Sequence, residues 1–121
     1  MNNRFKFRVW DKLAERMIYP HNDNQQHFII DLNGRFHNLQ NGSGGDDYVI
    51  QQYTGLTDSN DDPIYEGDIL KNHYDVGNNI IGQVLYESDH GGYIFQWKRK
   101  GRGQDYKNLN CDVAFESVIV G

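Results

Sequence analysis

The stretch QQYTGLTDSNDDPIYEGDILK, Gln51 to Lys71, spells strand, turn and strand in succession and decides how the whole chain is read. Tyr48, Val49, Ile50 and Tyr53 are the aromatic and β-branched residues that fit a pleated, half-buried surface, and Gly55 gives freedom in φ where the chain leaves it. Asp58, Ser59, Asn60, Asp61 and Asp62 have short polar side chains that bond neighbouring backbone groups, and Pro63 disfavours a helix at the residue before it. Ile64 and Tyr65 then form a short bridge. Gly67 allows a tight turn, and Asp68 to Tyr74 is expected to be a strand.

Upstream, RFKFRVW at 4 to 10 alternates strictly, with Phe5, Phe7 and Val9 on one face and Arg4, Lys6 and Arg8 on the other. The charged connection Asp11 to Glu15 suits a hairpin, Arg16 to Tyr19 is its return strand, and Pro20 ends it. After the polar loop HNDNQQ at 21 to 26, the runs His27 to Leu32 and Arg35 to Leu39 flank Asn33-Gly34, a hairpin signal that predicts a type I′ turn. NGSGGDD at 41 to 47 has three glycines in seven positions and marks a subdomain boundary or a loop.

Downstream, Ile80 to Glu87 and Gly92 to Lys98 read as strands joined by Ser88-Asp89-His90-Gly91. A shorter run follows near Tyr106 to Leu109. One helical turn around Val113 to Phe115 leads into a closing strand that ends at Val120. Short strands spaced by Gly and Asn turns, with no repeat and no long helix, point to an all-β protein of barrel or sandwich type.

Several of these segments carry a resemblance. YTGLTD at 53 to 58, Asn60 and IYEGDILK at 64 to 71, together with RVWD at 8 to 11, MIYP at 17 to 20, IGQVLY at 81 to 86 and VIVG at 118 to 121, are similar in residue and order to the YopX family, small proteins encoded mainly by bacteriophages and prophages. The positions carrying the signature turn are Tyr53, Thr54, Gly55, Asp58, Tyr65, Glu66, Gly67 and Asp68. Asp61 departs from the pattern, since family members usually have Gly after the Asn. The resemblance implies a mostly β protein with an SH3-like barrel in its C-terminal part, and no catalytic residues to carry over. The expected division is an N-terminal β-hairpin region over 1–45 and the barrel over 46–121.

Composition narrows the function. Only 37% of the 121 residues are hydrophobic but 13% are aromatic, so the core leans on Phe, Tyr and Trp, as β proteins allow. No apolar run approaches the roughly 18 residues of a membrane span, and the N-terminus has no apolar region of secretory type, so a cytoplasmic protein is expected. The single Cys111 forms no internal disulfide and is expected to be a small buried hydrophobe. The net charge of −5 is uneven: residues 1–20 sum to +3, 21–93 to −10, 94–110 to +4 and 111–121 to −2, counting Lys and Arg against Asp and Glu.

Candidate sites follow from spacing. Asp58, Asn60 and Asp62 match the first ligands of a calcium loop, but Pro63 stands where the sharp-turn Gly belongs and Ile69 where the bidentate Glu belongs, so a solvated turn is expected. Glu66 and Asp68 flank Gly67 and would serve a small hydrolase only if burial split their pKa values; a structural turn with Asp68 on backbone amides is the competing expectation. The five histidines have no HxH or HExxH spacing, so no metal and no cofactor is expected. On the strand 92–98, Tyr93, Phe95 and Trp97 share a face beside the basic loop Lys98, Arg99, Lys100 and Arg102, the pairing of stacking platforms and cations that holds single-stranded nucleic acid. The leading expectation is a non-enzymatic binding module acting through protein–protein contacts or self-association. Phe5, Phe7 and Val9, or the strand edge Gln51 to Tyr53, are its candidate surfaces.

Overall fold

The computed structural model describes residues 6–20, 28–39, 42, 44–75, 78–99 and 103–121. Arg4, Phe5, the loop 21–26, Lys100 and Arg102 lie outside the described residues. The fold is all-β, with eleven strands and one short helix among those residues. The chain divides into two compact units, residues 1–53 and 54–121.

In the first unit, β1 (Phe7–Asp11) and β2 (Arg16–Ile18) form the expected hairpin, with Val9 opposite Ile18. The Asp11 carboxylate shapes the turn by accepting the backbone N–H groups of Leu13 and Ala14, both at 3.1 Å. On its other side β1 pairs with the first half of β5 (Tyr48–Thr57), Val9 facing Ile50. Val9, Ile18 and Phe36 are the buried centre, and Phe28, Ile30, Tyr48 and Ile50 pack around them. Of the expected contact surfaces, Val9 is fully buried and Phe7 half-buried, and Gln51, Gln52 and Tyr53 are engaged along one edge by β1 and the Lys6 carbonyl.

The second hairpin joins β3 (Phe28–Ile30) to β4 (Phe36–Asn38) and corrects the turn expected at Asn33-Gly34. A type I′ turn needs positive φ at both central residues, but only Gly34 has it, at 78°. The Gly34 N–H instead donates to the Asp31 carbonyl, so the turn begins one residue earlier, at Asp31, with Leu32 and Asn33 at its centre. The Asp31 carboxylate causes the shift: one oxygen accepts the N–H groups of Asn33 and Arg35 at 2.9 and 3.0 Å. A left-handed glycine following a type I turn is the usual device of longer hairpin loops.

In the second unit, β7 (Ile69–Asp75), β8 (Asn78–Glu87), β9 (Gly92–Arg99) and β10 (Gly103–Asn108) form an antiparallel meander. After α1 (Cys111–Phe115), β11 (Ser117–Ile119) returns to pair beside β7. That return completes a five-stranded antiparallel sheet curled into a half-barrel. Ile64 from β6 (Pro63–Tyr65), Leu70, Val84, Phe95, Val113 and Ala114 are its buried centre. Each of these side chains except that of Ala114 contributes about 1.5–3 kcal/mol by leaving water. Asn110 caps α1 by accepting the Val113 N–H at 2.9 Å, which turns Val113 and Ala114 inward and leaves Cys111 on the outer side. Cys111 is therefore exposed rather than buried as expected.

Candidate functional site

A cleft of about 600 Å³ opens in the first unit, and three separate elements build it. The β1–β2 turn supplies Lys12, whose backbone N–H is held by the Asp47 carbonyl at 2.9 Å. The β3–β4 loop supplies Gly34 and Arg35, and the Arg35 backbone is fixed at both its N–H and its C=O by Asp31. Phe36, Tyr48 and Ile50 form the apolar wall, the Phe36 and Tyr48 rings lying 4.7 Å apart.

The electrostatics of this cleft are one-sided. Lys12 and Arg35 are exposed, no carboxylate lines the cleft among the described residues, and their side chains make no ion pair with another described residue. Beside it, Nε2 of His37 lies 2.9 Å from Oδ2 of Asp31. The His37 bond and then the Arg35 amide hold the Asp31 carboxyl below its ordinary value of 3.8, so Asp31 is kept as the anion that the loop needs.

The residues singled out by sequence fall elsewhere. Asp58, 4% exposed, directs Oδ1 to the N–H groups of Asn60 and Asp62, both at 2.9 Å, and Oδ2 to that of Ile119 at 3.0 Å. Both oxygens thus serve the backbone, as in a structural turn. Asp68, 3% exposed, accepts the Tyr65 N–H at 2.8 Å across Gly67, whose φ is 91°. Thr54 donates its hydroxyl to the Ile64 carbonyl and accepts the Leu56 N–H around Gly55, φ 86°. Tyr53 has Lys6 Nζ 5.7 Å from its ring centroid, within reach of a cation–π contact. Thr54, Asp58 and Asp68 are thus occupied in holding turns.

On β9 the aromatic stripe faces inward. Phe95 is fully buried, and Tyr93 and Trp97 pack on the same core, the Phe95 and Trp97 rings 5.5 Å apart. Burial, and then the nearby charges of Glu66 and Tyr86, push the Tyr93 hydroxyl pKa up. Lys98 is exposed and, by strand alternation, points to the other face from Trp97. Among the described residues no group of three His, Cys, Asp or Glu is placed to hold a metal ion, and no helix is long and apolar enough to cross a membrane.

Comparison with known proteins agrees with this architecture. A family model described as "YopX protein" matches residues 6–119. A crystal structure of protein EF1440 from Enterococcus faecalis is similar to the chain with a TM-score of 0.52 and 21% identity, over 96% of this chain and 90% of that one. At that identity the likeness speaks for the fold alone. No curated protein matches.

Proposed function

The chain belongs to the YopX family, and we propose that it is a non-enzymatic binding module that receives a partner protein in the cleft of its first unit. The carrying observation is the cleft itself: a mostly polar lining in which Tyr48 and Ile50 give an apolar strip below two cations from separate hairpins. Its volume falls within the roughly 300–1,000 Å³ usual for sites that bury a small ligand or a few side chains.

A competing route, strand addition at a sheet edge, has less to recommend it. β10 is an edge of the five-stranded sheet, and the Asp105 carboxylate accepts the Tyr106 N–H at 2.9 Å, engaging an amide that a partner strand would use.

The test is an ¹⁵N NMR titration of the chain with a panel of N-acetylated, C-amidated tripeptides. Shifts clustered on Gly34, Gly45, Tyr48 and Ile50 support the reading. Shifts that are absent, or concentrated on β10 and β11, contradict it.

A further inference from the structure

Resting on the reading of this cleft as a partner site, we propose that its occupant is an acidic segment of a partner protein, one or two carboxylates set beside an apolar side chain. Charge is the first argument. Residues 21–93 contain twelve acids and two cations, Arg35 and Lys71, and one of those two stands in the cleft. In so acidic a stretch an exposed Arg with no described ion-pair partner is a local exception, and Lys12, brought in from the basic N-terminal segment, reinforces it.

Geometry is the second argument. Asp31 fixes the Arg35 backbone and the Asp47 carbonyl fixes that of Lys12, so both cations spring from ordered turns, and less freedom is lost when they engage an anion. A guanidinium offers a planar fork that matches a carboxylate, and a neighbouring ammonium adds a point charge. The half-buried Tyr48 and Ile50, backed by the buried Phe36, have no use for a bare ion but suit the side chain next to the acid. A nucleic acid strand would present many phosphates to two cations on a chain of net charge −5, and most of that repulsion would go unanswered.

The experiment compares N-acetylated, C-amidated Glu-Phe-Glu, Gln-Phe-Gln and Lys-Phe-Lys, and inorganic phosphate, by ¹⁵N NMR shifts at millimolar concentration and at two salt concentrations. It uses the full chain and the double variant Lys12→Gln, Arg35→Gln. Expected is binding of Glu-Phe-Glu that weakens with salt and falls about tenfold in the double variant, as two exposed ion pairs would give. Equal binding of Gln-Phe-Gln in the cleft would overturn the acidic specificity while leaving the cleft as a partner site. Phosphate binding as tightly as Glu-Phe-Glu would overturn the peptide class. Absence of cleft shifts with every peptide would overturn both readings, and an unchanged spectrum of the double variant shows that it remains folded.

Discussion

Asp58 accepts the backbone N–H of Ile119, 61 residues further along the chain, with the oxygen that its own turn leaves unused. Its other oxygen organises the turn, and the Ser59 N–H donates to the Ser117 carbonyl beside it, so one carboxylate couples the signature loop to the closing strand. Asp58→Ala removes an acceptor from three backbone donors. Hydrogen bonds to a charged group contribute about 1.5–3 kcal/mol each, not additively, so a loss of about 3 kcal/mol is expected in urea unfolding. A loss below about 1 kcal/mol would show that β11 is held by other means.

The loops Asp31-Leu32-Asn33-Gly34-Arg35 and Asp58-Ser59-Asn60-Asp61-Asp62 have one construction. In each, the leading carboxylate accepts from the second and fourth residues after it, and the third has positive φ, 78° at Gly34 and 65° at Asp61. A left-handed conformation costs a residue with a Cβ roughly 1–2 kcal/mol, somewhat less for Asp. Asp61→Gly is therefore expected to raise stability by about 0.5–1 kcal/mol, and Gly34→Ala to lower it by a similar amount. A loss with Asp61→Gly, or a gain with Gly34→Ala, in a urea series would refute the shared construction.

Asp31 makes stability depend on acid. Its pKa is lowered in the folded chain, so its contribution is fully present above the ordinary value of 3.8 and is lost as pH falls through the lowered one. Wild type should lose stability faster than Asp31→Asn as pH falls below about 4. The two should run parallel between pH 5 and 8, where the carboxylate is ionised in folded and unfolded chains alike. Parallel curves throughout would mean that His37 and the loop amides do not hold the anion.

Gly82 lies under the Phe95 ring. A Cβ there would overlap the Gln96 carbonyl oxygen and stand 2.8 and 2.9 Å from two ring atoms of Phe95, which is fully buried and has little room to move. Gly82→Ala should cost about 2–4 kcal/mol by overpacking. Gly92→Ala, on the same sheet with nothing within 4 Å of the added carbon, should be near neutral. Equal effects of the two would deny the close approach.

Much of the strand order could be read from the chain because local pattern and tertiary role agree in the second unit. The 80–87 and 92–98 runs, the turn at 88–91 and the helical turn at 113–115 are found with small changes of boundary. Elsewhere a single side chain overruled the local pattern. Asp31 moved the hairpin turn off Asn33-Gly34, and the Asn110 cap turned Cys111 outward. The stripe of Tyr93, Phe95 and Trp97 was visible, but alternation alone does not say whether such a face meets solvent or core. The cleft was not visible because its parts are scattered. Lys12 looked like one charge in a connecting turn and Arg35 like the residue after a hairpin glycine, and only the pairing of β1 with β5 and the packing of Phe36 bring them together.

Whether the cleft receives a partner is decided by photo-crosslinking in the organism that encodes the protein, with a photoreactive residue at position 12 on the cleft or at position 104 on β10. A partner received by the cleft gives a discrete protein adduct from position 12 that disappears when Arg35→Glu is added, and none from position 104. The same adducts from both positions, or an adduct from position 12 indifferent to Arg35→Glu, would contradict the reading of the cleft as a partner site.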